Sequence, residues 1–117
     1  MSVGYYGMPT VSTEYQGIDP EEYLRLARSF IPDYDILAQK VAFRVIEERP
    51  KRILSIGSGV GNIEERILLS NPNAHITCVE PSVDFARYTH DRLSPYKDRA
   101  EIIQTSFEEF DSNDVEY

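Results

Sequence analysis

The chain has 117 residues, 41% hydrophobic and 27% charged, with a net charge of −8. That length supports one domain around one core, and the acidic balance disfavours a grip on nucleic-acid backbone. No stretch approaches the ~20 apolar residues of a bilayer span, and the single cysteine, Cys78, allows neither an internal disulfide nor a thiolate zinc site.

Residues 1–18 mix Gly, Tyr, Thr and Ser without periodicity and are expected to form a flexible arm preceding a domain over 19–117. The first six residues carry no basic-then-apolar leader and no myristoylation pattern, so a cytoplasmic location is expected. Asp19-Pro20-Glu21-Glu22 combines a capping residue, a proline suited to the first helical position and an acid three residues after the cap, predicting a helix to about Ser29. After Pro32 a second helix starts near Asp33 or Asp35. It carries Leu37, Val41 and Val45 at four-residue spacing beside Ala38, Ala42 and Ile46, and stops before Pro50.

Arg52–Ile56 is short, apolar and branched, and glycines end it abruptly, as in a buried parallel strand. A helix over about 62–69 presents Ile63 and Ile67, and Ile76–Val79 is a second strand ending at Glu80. Ser82 caps a third helix of the core, with Val83, Ala86, His90 and Leu93 as its stripe; Glu101–Gln104 is a third strand. Strand and helix in alternation predict right-handed crossovers and a parallel sheet. With three strands, the first lacks a neighbour on one side, and an unpaired edge predicts association into a homo-oligomer.

The chemistry concentrates in Gly57-Ser58-Gly59-Val60-Gly61-Asn62, between strand and helix. Glycines at alternate positions permit positive φ and let a ligand approach the backbone where a Cβ would collide. The loop lies at the carboxyl end of a strand, where open parallel sheets bind ligands. Glu80 ends the next strand 23 residues after Gly57, near the ~20-residue spacing at which the dinucleotide fingerprint places a ribose-binding acid. Its side chain is expected to point into the crevice beyond the glycines; the plainer reading is a surface carboxylate capping the next helix. Cys78 reads as a buried small hydrophobe, and no His, Cys and carboxylate set has metal-ligand spacing.

These residues resemble the cofactor-binding half of a class I, Rossmann-fold S-adenosylmethionine-dependent methyltransferase, over about residues 30–110. The spacing is G-x-G-x-G, as in that family's first motif. A dinucleotide fingerprint would put its third glycine at position 62, which is Asn62. The resemblance implies a three-layer Rossmann-like fold with about three strands present, apparently truncated, because the family sheet has seven strands and carries its catalytic groups mostly from the fourth onward. It implies S-adenosylmethionine as cofactor, held by Gly57, Ser58, Gly59, Gly61, Glu80, Pro81, Ser106 and Phe107. The expected acceptor is a small molecule, with no membrane and no metal involved, and no catalytic residue can be named. Two departures stand out: Ser55 occupies a position where the family usually has an acid that helps place the methionine end, and Ser106 one where many members have Asp. The alternatives are a non-catalytic Rossmann-like partner or regulatory subunit, and a fragment of an NAD-dependent oxidoreductase, against which Asn62 argues.

Overall fold

The alternating extended and helical signals form one parallel sheet covered by helices. The computed structural model describes residues 2–4 and 18–111. In chain order these are β1 (Ser2–Gly4), α1 (Pro20–Phe30), α2 (Tyr34–Glu47), β2 (Arg52–Ile56), α3 (Asn62–Ser70), β3 (His75–Val79), α4 (Val83–Arg92), a 3-10 turn (Ser94–Tyr96) and β4 (Ala100–Ile103). The strand order is β1-β2-β3-β4, all pairs parallel.

Local chemistry sets the helix ends. Asp19 accepts a bond from the Glu22 amide at 3.1 Å and Pro20 opens α1. Between α1 and α2 the chain reverses through Asp33 at φ 57, a left-handed conformation that Asp tolerates better than most residues. At the far end of α3, Arg99 donates to the carbonyls of Leu68 (3.1 Å), Asn71 (3.0 Å) and Ala74 (3.2 Å). Those bonds satisfy carbonyls that a helix terminus leaves without partners.

Side-chain alternation decides what the sheet buries. Ile53 pairs with Ile76 and Ser55 with Cys78. Ile53, Ile76 and Cys78 share one cluster with Ala42 of α2, Ile67 and Leu68 of α3, Ala74, and Leu93 after α4. One face of the sheet therefore receives α2, α3 and the end of α4. α1 lies against α2 and α4, with the Tyr23 and Phe85 ring centroids 5.3 Å apart. Each buried Ile or Leu of this cluster contributes about 1.5–3 kcal/mol.

Three expectations change. Ser2–Gly4, placed in the flexible arm, is a strand: it pairs with Ile53–Ser55 of β2, so the sheet has a fourth strand and β2 is flanked on both sides. A three-residue Ser-Val-Gly segment has no period to read, and its pairing comes from the free backbone edge of β2. Residues 5–17 lie outside the described residues. On α4 the buried row is Phe85, Ala86 and Thr89, leading to Leu93, whereas Val83 and His90 are exposed. The stripe was misplaced because Thr89 is polar yet buried, its hydroxyl bonded to the glycine loop. On α2, Leu37 is exposed and Ala38 and Ala42 are buried, since close approach to α3 needs small side chains. No helix among the described residues is long and apolar enough to cross a membrane.

Candidate functional site

At the carboxyl end of β2 the backbone turns through Gly57 at φ 75, Gly59 at φ 61 and Gly61 at φ 76. A residue with a Cβ pays roughly 1–2 kcal/mol for each such conformation, which accounts for glycine at all three. The Gly57 amide continues the sheet ladder to the Val79 carbonyl at 2.7 Å, and the Gly61 amide closes a turn onto the Ser58 carbonyl at 3.0 Å. From α4, Thr89 Oγ1 donates to the Gly59 carbonyl at 2.7 Å and an Arg92 guanidinium nitrogen to that of Val60 at 3.2 Å. The loop is thus held in shape from within the fold.

Glu80 completes the loop differently from expectation. Its side chain is 6% exposed. One carboxylate oxygen accepts from the Gly59 amide at 2.9 Å and the other from the Ser82 amide at 2.8 Å. Rather than standing free in the crevice, it latches the glycine loop to the start of α4. It is also not the helix cap, a place taken by the Ser82 hydroxyl, which accepts from the Phe85 amide at 3.3 Å. Burial raises the Glu80 pKa and the two amides oppose that shift. A carboxylate has about four acceptor positions, and the two amides occupy two of them.

Beneath the loop lies a second acid. Ser55 Oγ donates to a Glu64 carboxylate oxygen, joining the end of β2 to the first turn of α3. Glu64 is 3% exposed, and burial pushes its pKa up to about 7. Cys78 beside it is fully buried, and its thiol is pushed well up by burial, with Glu64 adding to the effect. Ser58 Oγ is buried with no oxygen or nitrogen partner and leans weakly on the Cys78 thiol, itself a poor hydrogen-bonding group. A buried hydroxyl without a proper partner costs ~1–3 kcal/mol.

Pro81 is buried directly after Glu80, and its carbonyl accepts from Gln104 Nε2 at 2.8 Å. Ser106 and Phe107 are half-buried just past β4, which reaches the same edge of the sheet because the Glu80 amide bonds the Ile103 carbonyl at 3.0 Å. The Ser106 hydroxyl accepts from the Glu109 amide at 3.2 Å, shaping the turn that follows. The structure therefore gathers Gly57, Ser58, Gly59, Gly61, Glu80 and Pro81 around the carboxyl ends of β2 and β3, all of them buried except the half-buried Gly57, with Ser106 and Phe107 half-buried just past β4. Three contributors were missed in the sequence: Glu64, Thr89 and Arg92. All three act across the fold, and none carries a local signal. On the other side of the loop, Asn62 and Arg66 meet Asp35 at 3.5 Å each, and Arg28 holds Asp35 at 3.0 and 3.2 Å. This exposed network ties the α1–α2 joint to the start of α3. Tyr34 is half-buried there, its phenol pKa raised by burial and lowered by Asn62. Among the described residues no group of three metal-ligating side chains is found.

No protein-family model matches the chain. Over 76 residues it is 34% identical to a trans-aconitate 2-methyltransferase of Rhodopseudomonas palustris (strain BisB18), covering 64% of this chain and 28% of that protein. Among solved structures it is similar to an SAH-bound methyltransferase of Podospora anserina, with TM-score 0.57 and 22% identity over 91% of this chain and 46% of that one. It is similar as well to a candidate caffeoyl-CoA O-methyltransferase of Staphylococcus aureus, with TM-score 0.56 and 17% identity over 80% of this chain and 46% of that one. The chain spans less than half the length of these proteins. Its α/β fold, a parallel sheet covered by helices, is the one found in these solved methyltransferase structures.

Proposed function

We propose that this chain is the S-adenosylmethionine-binding part of a class I methyltransferase acting on a small molecule. The observation that carries the reading is the glycine loop: three positive-φ glycines at the carboxyl end of β2, latched by Glu80 and backed by Thr89. Gly57 to Gly61 would hold the amino-acid end, and the remaining acceptor positions of Glu80 the two ribose hydroxyls, a charge-assisted pairing stronger than a neutral one. Pro81, Ser106 and Phe107 would flank the adenine. When bound, the cofactor supplies a sulfonium methyl already activated for in-line transfer to a nucleophile. The chain's contribution is to place that methyl, an effect worth up to about 7–11 kcal/mol when geometry is held well. A small-molecule acceptor accords with the net charge of −8 and with the names of the similar proteins.

The NAD reading is weaker, because Asn62 starts α3 where a third glycine would be needed and its amide is engaged with Asp35 and Arg66. Calorimetry on the whole chain separates the two. S-adenosylhomocysteine is expected to bind and NAD is not. Binding of NAD without S-adenosylhomocysteine would overturn the proposal.

A further inference from the structure

We propose that Glu64, held by Ser55 beneath the glycine loop, is the counter-charge that this site supplies to a cationic ligand, a positioning residue that acts from the first turn of α3. The inference rests on the S-adenosylmethionine reading and assigns it a residue outside the glycine and Glu80 set.

The argument is one of placement. β2 runs into the loop at Gly57, and α3 starts from Gly61 as its N-terminal cap. The Ser55–Glu64 bond spans nine residues and closes the base of that loop. A carboxyl group so deeply buried is retained at a cost, since an ionised form out of water needs compensation from partners. Its partners in the protein fall short of that: one hydroxyl from β2 and an amide of its own helix. Arg92 of α4 acts on it favourably, but that guanidinium is engaged with the Val60 carbonyl and with Glu65 at 3.7 Å. Glu80, at the end of β3, opposes its ionisation. The neighbouring Cys78 is held as a neutral thiol, and α2 turns Ala38 and Ala42 inward. Two acids thus flank one loop, and the one cation that acts on Glu64 is shared with the Val60 carbonyl and Glu65. S-adenosylmethionine carries a sulfonium and an ammonium against one carboxylate. Its net positive charge is what would draw Glu64 into the ionised form, across the loop that Ser55 and Glu64 close at its base.

Ionising Glu64 on binding releases a proton, and a merely structural acid would not do so. Titration of the whole chain with S-adenosylmethionine at pH 7, in two buffers of different ionisation enthalpy, measures that release directly. Wild type is expected to release a sizeable fraction of one proton. Glu64→Gln, which keeps shape and the Ser55 bond, is expected to release less than a third as much and to bind about tenfold more weakly. Ser55→Ala is the second variant: it keeps the acid but removes its donor, and the pH of maximal proton release is expected to rise. Unchanged affinity and release in Glu64→Gln, or an unmoved pH in Ser55→Ala, would overturn the inference while wild-type binding still upheld the function. Failure of wild type to bind either S-adenosylmethionine or S-adenosylhomocysteine would overturn both.

Discussion

Gly61 and Thr89 are locked together across the fold. A Cβ at Gly61 would lie 2.9 Å from Thr89 Cγ2, while Thr89 Oγ1 holds the Gly59 carbonyl at 2.7 Å. The same threonine therefore shapes the loop and forbids a side chain in it. Gly61→Ala meets both the strain of φ 76 and a contact closer than Cβ atoms tolerate. A loss of about 2–5 kcal/mol is expected, combining ~1–2 for the left-handed conformation with ~1–3 for overpacking. Thr89→Ser deletes the clashing methyl and keeps the hydroxyl, so the double variant should recover the overpacking part. Urea denaturation of the two single variants and the double variant gives the coupling. Strict additivity would show that the contact does not govern the loop.

Glu80→Gln tests the latch. The carboxylate accepts from two amides at once, and a carboxamide offers one oxygen and one NH2 group. One amide, of Gly59 or Ser82, must then face a donor. Stability should fall by about 1–3 kcal/mol, and affinity for S-adenosylhomocysteine should fall as well. The two losses together distinguish a latch that also binds ligand from a residue that serves the ligand alone. An affinity loss with an unchanged denaturation midpoint would contradict the geometry.

These results show where sequence reading succeeds. Glycines at 57, 59 and 61 announce positive φ because no other residue adopts it cheaply, and all three adopt it. Ser82 and Asp19 announce caps because capping is local. The pairing of Ser2–Gly4 with β2 was invisible, since it depends on a backbone edge and not on side-chain pattern. Glu64 was invisible for a related reason. Its partner Ser55 is nine residues away, and nothing local distinguishes an acid on a solvated helix face from one folded under a loop.

Arg99 offers a test of planar recognition away from the loop. Its guanidinium reaches three carbonyls around the end of α3 and lies 5.6 Å from the Tyr96 ring centroid. Arg99→Ala is expected to cost about 2–3 kcal/mol through carbonyls left without donors. Arg99→Lys should regain little of it, because an ammonium cannot reproduce the fork. Full rescue by lysine in thermal denaturation would mean that charge alone suffices there.

Glu64 makes stability depend on pH in a direction opposite to that of most carboxylates. Its folded pKa is about 7 against an ordinary 4.5, because burial disfavours the charged form. The folded state therefore binds more protons than the unfolded state between those values, and stability falls as pH rises through that window. Stability from this group is fully present below about pH 4.5 and lost as pH passes 7. At about 1.4 kcal/mol per pKa unit the loss is on the order of 3 kcal/mol. Glu64→Gln cannot ionise and should lack this component. Other groups titrate alike in both proteins, so the difference between their denaturation free energies isolates Glu64. Wild type should lose ground to the variant steadily from pH 5 to pH 8. Parallel curves across that range would show that Glu64 titrates at its ordinary value and that its carboxyl is not sealed beneath the loop.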